Sequence, residues 1–276
     1  MSAIAEDRPV AVESSADAGP RRKSTALIAG LFTLAILLAL WSLAAWFAWV
    51  TPVFLPSPIV VAKSAYAVAT EGFADSTLWQ HLSASLGRVF SALVAAIVVG
   101  VPIGVAIAAS QIGRGIFDPI VEFLRPLPPL AYLPLVIIWF GIGEASKVLV
   151  ITLAMLPAII ISTASGVRAV STDRKHAALA LGATHTQVLR YVVLPSAIPS
   201  ILTGIRIALG AGWSTLVAAE LVAASRGLGF MIQSAAQFLV TDVVIVGITT
   251  IAFVAFVLEG VVRWIERRFV PWSHRL

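Results

Sequence analysis

Cysteine is absent from the 276 residues, which excludes disulfides and thiolate metal sites. Histidine occurs four times (His81, His176, His185, His274), scattered without ligand-like spacing, so no metal site is expected. Charge is scarce as well. Only 12% of residues are charged and 59% are hydrophobic, against about 25% charged in ordinary soluble domains. So few charges cannot cover a soluble surface, and lipid must replace water over much of the chain. A membrane enzyme would need His, Asp or Glu clustered at one interface, and no such cluster is present, so no catalytic residue is assigned. A phosphate-binding GxxxxGK[ST] loop is missing too, because none of the four lysines follows a glycine. Any work drawn from ATP must come from a separate subunit.

What is present is long apolar runs. About 20 apolar residues at 1.5 Å each cross the hydrocarbon core. Residues 26–50 do so without a charge, as do 89–110, 126–143 and 148–167. A fifth run, 201–224, contains Arg206 and Glu220, and a sixth, 243–262, carries Glu259 near its end. The runs are continuous rather than alternating, which excludes barrel strands. The expectation is an all-α membrane protein of six transmembrane helices. Residues 1–25 read as a disordered polar tail. Arg21, Arg22 and Lys23 before the first run resemble a signal peptide, but the run is too long and ends in Trp46, Phe47 and Trp49. It is read as an uncleaved first span.

Arginine and lysine orient the bundle. With the N-terminus inside, the cytoplasmic segments hold Arg8, Arg21, Arg22, Lys23, Arg114, Arg168, Arg174, Lys175, Arg190, Arg263, Arg267, Arg268 and Arg275. The external segments hold Lys63, Lys147 and Arg226, while Arg88, Arg125 and Arg206 fall in or at the ends of spans. Both termini are therefore cytoplasmic, and residues 263–276 form a cytoplasmic C-terminal tail. The net charge of +5 follows this bias rather than clustering on a soluble domain, so no nucleic-acid partner is expected. The external segment 51–88 is broken early by Pro52, Pro56 and Pro58. Its second half, 73–88, fits an amphipathic interfacial helix with Trp79 at headgroup level.

One connection is long and structured. In residues 168–199, Ser171 or Thr172 can cap a short helix that Gly182 ends in a left-handed turn. Thr184 and Gln187 have capping-box spacing for a second helix, which Pro195 and Pro199 are expected to close. A DNA-binding helix-turn-helix is a poor fit, because spans flank the segment on both sides. A rigid pair of small-residue helices on the inner face suits docking by another protein.

The stretch HAALALGATHTQVLRYVVLP within this connection resembles the cytoplasmic signature of ATP-binding-cassette importer permeases: Glu-Ala-Ala, three residues, Gly, nine residues, Ile, one residue, Leu-Pro. Ala177, Ala178, Gly182, Leu194 and Pro195 match in register, Val192 stands for Ile, and His176 occupies the Glu position. RPLPPLAYLPLVIIWFGIGEASK (125–147), GWSTLVAAELVAASRGLGFMI (212–232), LWQHLSASLGRV (78–89) and FLVTDVV (238–244) are similar to the branch that imports taurine, other sulfonates and nitrate. The resemblance covers about residues 50–272. It implies a type I importer bundle, with residues 89–262 as a five-helix core. Two copies would pair as a homodimer, and two ATPase subunits, which bind the ATP, would dock on His176, Ala177, Ala178, Gly182, Ala183, Val192, Leu194 and Pro195. A periplasmic binding protein would deliver a small sulfonate, with taurine first and other alkanesulfonates or nitrate as alternatives. The chain itself would hold no cofactor and would lie in the bacterial inner membrane. An ion-coupled secondary transporter is the different-class alternative; it would need paired ionisable groups at the bilayer midplane.

Candidate path residues are read from the spans themselves. Pro126, Pro128, Pro129 and Pro134 free carbonyls that a membrane tolerates only beside protein or a water-filled cavity. Pro128 and Pro129 are therefore placed toward the interior. Glu122 and Arg125, spaced i, i+3, are expected to pair with each other. Arg206 and Glu220 lie nearly in helical phase and could line one face, with Arg206 a transient counter-charge for an anion. Trp213, Ser214 and Thr215, in a helix with Gly204, Gly210 and Gly212, line either the path or a packing seam.

Overall fold

A computed structural model describes residues 20–269. The expectations for residues 1–19 and 270–276, parts of the two tails, lie outside the described residues. Twelve segments follow in order: α1 (Pro20–Trp46), α2 (Pro58–Thr70), α3 (Leu78–Ala109), α4 (Gln111–Leu124), α5 (Pro129–Phe140), α6 (Glu144–Arg168), α7 (Thr172–Ala180), α8 (His185–Val188), a π-turn (Leu189–Val193), α9 (Leu194–Ala223), α10 (Leu228–Gln237) and α11 (Thr241–Phe269). Among the described residues there is no β-strand beyond one isolated bridge, Phe73 with Ser76.

Helix α6 is the centre. It runs parallel to α3, with Thr152 beside Ala92, Ile159 beside Gly100 and Thr163 beside Gly104. It runs antiparallel to α9, with Met155 beside Gly212, Ser162 beside Gly204 and Ser200 beside Gly166. Two glycines set these spacings. A Cβ at Gly104 would lie 2.7 Å from the Ile160 carbonyl, and one at Gly204 would lie 2.6 Å from Ser162 Cβ. The absent side chains let the backbones approach, as small residues do in lipid-embedded bundles. Val89, Ala92, Ile151, Met155, Ile159, Leu209, Trp213 and Leu216 close the core between the three helices.

Because α3 and α6 are parallel, the chain between them must return across the bundle. It does so as α4 and α5, bent by 105° at the break between them. Arg114 and Arg168 line one cavity at the inner end, while Glu144 meets Arg88 at the outer end. The third crossing therefore begins at Gln111 rather than at residue 126. Pro126, Pro128 and Pro129 fall at mid-depth in the bend instead of inside one straight helix. Five helices have the length and apolarity to span, and the bent pair makes six.

The external segment departs from expectation. Thr77 caps α3 in a full capping box with Gln80, and the helix then runs unbroken to Ala109. Residues 73–88 thus form no separate interfacial helix; they are a tight turn followed by the first turns of the second span. The separate short helix is α2, started by Ser57 as cap and Pro58 at its first position. Asp242 on α11 accepts a hydrogen bond from Ser64, which ties α2 to the bundle.

Candidate functional site: two ends and a middle

At the cytoplasmic end, α7 begins after Ser171 and contains no buried residue. Gly182 ends it at φ +86°, a conformation that glycine adopts without steric cost. Thr184 caps α8, and Gln187 returns the bond to the Thr184 backbone N–H at 2.7 Å. The expected helix–turn–helix is thus present, but its second arm does not stop. Pro195 lacks an N–H and would clash with the carbonyl four residues back. A π-turn absorbs both problems: Leu194 N–H donates five residues back, to the Leu189 carbonyl. The helix continues through Pro195 and Pro199 to Ala223, so these prolines close nothing. From His185 to Val222 the second arm and the fifth span form one continuous helical element.

Val167, Val170, Val188, Val193 and Ala197 bury themselves beneath this segment, with Ala178, Ala183 and Val192 half-buried against them. Leu194 and Pro195 are half-buried too, at the root of the arm. His176, Ala177 and Gly182 face outward. Leu181 projects beside them at 90% exposure. A small cluster thus fixes the segment from below and leaves its outer side bare.

The external end is built differently. Arg88 on α3 is 5% exposed and Glu220 on α9 is 1% exposed. The Arg88 guanidinium donates to Glu220 at 2.5 Å and, in a fork, to both Glu144 oxygens at 2.6 and 2.9 Å. Lys147 adds a bond to Glu144 at 2.7 Å. Two positive and two negative groups balance, and the fork is the geometry that Arg alone provides. Glu220 also accepts from Ser85 Oγ at 2.8 Å and from Gly229 N–H at 2.8 Å. His81, fully buried, accepts from Gly227 N–H through Nδ1 at 3.1 Å and donates from Nε2 to the Phe73 carbonyl at 3.0 Å. Gly227 has φ +137°, and a Cβ there would lie 2.4 Å from the Glu220 carboxyl carbon. Helices α3, α6, α9 and α10 are thereby fastened at one point.

Glu220 and Arg206, expected to line one face, are placed apart. Glu220 is sealed into this network, while Arg206, lower on the same helix, pairs with Glu266 of α11 at 3.5 Å. The remaining candidates divide between two cavities. Arg206, Gly210 and Trp213 border one of about 520 Å³ against α11. Pro129, Ser214 and Thr215 border another of about 290 Å³ beneath the α4–α5 bend, with Arg125 and Tyr132. Pro128 is the exposed residue just before α5. The expected Glu122–Arg125 pair is absent among the described residues, because α4 ends at Leu124 and the bend turns Arg125 to the cavity. Sequence reasoning missed Arg88, Glu144, Lys147, Ser85 and His81. The available signal was two opposite charges, Arg88 and Glu220, at the external ends of two spans.

Residues 100–271 match the family described as the binding-protein-dependent transport system inner membrane component. The chain belongs to this family. It is the permease subunit of an ATP-binding-cassette importer in the inner membrane; the ATPase activity of such importers resides in separate subunits. The permease is 55% identical over 241 residues to the taurine transport system permease protein TauC of Escherichia coli (strain K12), covering 87% of this chain and 88% of that one. It is 33% identical to the putative aliphatic sulfonates transport permease protein SsuC of the same strain, covering 93% and 96%. An inward-facing structure of the MetNI methionine ABC transporter superposes with a TM-score of 0.57 at 22% identity, covering 68% of this chain and 95% of the other. That likeness establishes the type I importer permease fold. Membership of the importer family, rather than that likeness, sets aside the ion-coupled secondary transporter.

Proposed function

We propose that the permease carries taurine inward, as one of two identical copies around a shared path. The observation that carries this reading is 55% identity to a taurine permease, against 33% to an aliphatic sulfonate permease and 32% to the nitrate import permease protein NrtB of Synechocystis. A periplasmic binding protein delivers the substrate at the external end. Two ATPase subunits, which bind the ATP, dock on the cytoplasmic segment through His176, Ala177, Ala178, Gly182 and Ala183. Val192, Leu194 and Pro195 form the root of the docking arm. Closure of the ATPase pair displaces α7 and α8. The unbroken course from His185 to Val222 passes that displacement to the middle of the bundle. Pro128, Pro129, Ser214 and Thr215 lie where the path passes the α4–α5 bend. Arg206 and Trp213 border its neighbour toward α11.

The test is uptake by proteoliposomes holding the permease, its ATPase partner and the binding protein. Taurine accumulation that requires ATP is expected. Accumulation without ATP, or none with it, overturns the reading.

A further inference from the structure

Among the described residues three arginines lie on the spans away from their cytoplasmic ends, and two of them are neutralised. Arg88 is held by Glu144 and Glu220, and Arg206 by Glu266. Among the described residues Arg125 has no carboxylate within 4 Å. Its depth makes this costly. The cavity it borders is also walled by Leu153, Ala154 and Pro157 of α6, roughly 15 to 20 Å along the helix from either end. Arg125 is exposed on the single copy, and a charge at such depth faces a water-filled cavity, a ligand or another protein group. The bend supplies the opening: Arg125 is still helical at the end of α4, and Pro128, held extended before Pro129 at ψ 129°, breaks the helix.

The other polar groups on the cavity are hydroxyls: Tyr132, Ser214 and Thr215. Ser214 donates its proton to the Gly210 carbonyl at 3.3 Å and Thr215 to the Ala211 carbonyl at 2.9 Å. Donors spent on their own helix leave oxygen lone pairs to accept. The cavity therefore combines a fixed cation with hydroxyl acceptors, and among the described residues no carboxylate lines it.

We propose that this cavity is a transit site for a zwitterionic aminoalkanesulfonate, with the sulfonate on Arg125 and the ammonium on the hydroxyl oxygens of Ser214 and Thr215. The Tyr132 hydroxyl donates to the sulfonate. Arg125, rather than Arg206, is then the counter-charge on the path. The guanidinium matches a tetrahedral oxyanion with paired donors, while the hydroxyls favour an amino-bearing sulfonate over a plain one. The inference rests on the proposed taurine import and adds the place of contact.

The test uses the complete importer in proteoliposomes with ATP and saturating binding protein. Arg125→Gln is expected to lower taurine uptake about tenfold or more, the scale of a lost charge-assisted bond, with membrane insertion and ATPase copurification unchanged. Arg125→Lys, which keeps the charge but loses the fork, recovers part of the rate. A normally assembled Arg125→Gln importer with unaltered uptake overturns the site. Should Arg125→Gln fail to assemble, Tyr132→Phe and Ser214→Ala each remove one hydroxyl, and unaltered uptake in both overturns the site as well. Absence of taurine uptake by the unsubstituted importer overturns the taurine reading itself, and this inference with it.

Discussion

At the external end, Arg88, Glu144, Lys147 and Glu220 use up one another's charge, and every N–H at the start of α10 that reaches the network finds an acceptor. At the cytoplasmic end, α7 buries nothing, and Leu181 stands in solvent at 90% exposure. Each region turns on a positive-φ glycine, Gly227 or Gly182. They differ in what surrounds the glycine. Gly227 is pressed against Glu220, whereas a Cβ at Gly182 would meet nothing within 4 Å. One end has satisfied its own surface. The other leaves its surface bare.

The comparison breaks most visibly if charge is removed from the external end. Glu220→Leu leaves a surplus buried positive charge, because Arg88 and Lys147 then share Glu144 alone, and the expected loss is about 3–5 kcal/mol of stability, read as a lower unfolding temperature in detergent. Replacing both partners, Arg88→Met with Glu220→Leu, should recover much of that loss, because an apolar pair leaves no charge unpaired. Recovery would show that the cost lies in the unpaired charge rather than in the lost contact. Substitutions at the cytoplasmic end should sort the other way. Gly182→Val forces a branched residue into the left-handed region at a cost of about 1–2 kcal/mol. Copurification with the ATPase should fall far more than the unfolding temperature. Thr184→Ala removes one cap bond, worth about 1 kcal/mol, and should weaken ATPase association modestly at nearly unchanged stability.

How far the sequence disclosed these two ends depends on the range of the forces involved. Gly182, Thr184 and Gln187 were readable because a left-handed turn and a capping box are local, completed within four residues. The continuity through Pro195 was not readable. A π-turn depends on whether packing holds the helix on both sides, and proline alone reads as a stop. The crossings themselves were readable from apolar length, except the third, where the bend at residues 125–128 hid α4 as an amphipathic connection. Arg88, Glu144 and Glu220 lie 56 and 132 residues apart in their pairs, so periodicity carries no information about them. The parallel course of α3 and α6, with α9 antiparallel beside α6, brings them together. Glu220 and Arg206 share a helix and a phase, yet different neighbours take each of them.

The central claim is that the bare side of α7 is a surface made for the ATPase subunit. The chain has no cysteine, so Leu181→Cys gives a single thiol on that surface. Its labelling rate with a membrane-impermeant maleimide should be compared in inside-out vesicles holding the permease alone and the permease with its ATPase partner. Fast labelling alone and strong protection by the partner is the result predicted here. Equal rates in both preparations, with the ATPase demonstrably bound, would contradict it.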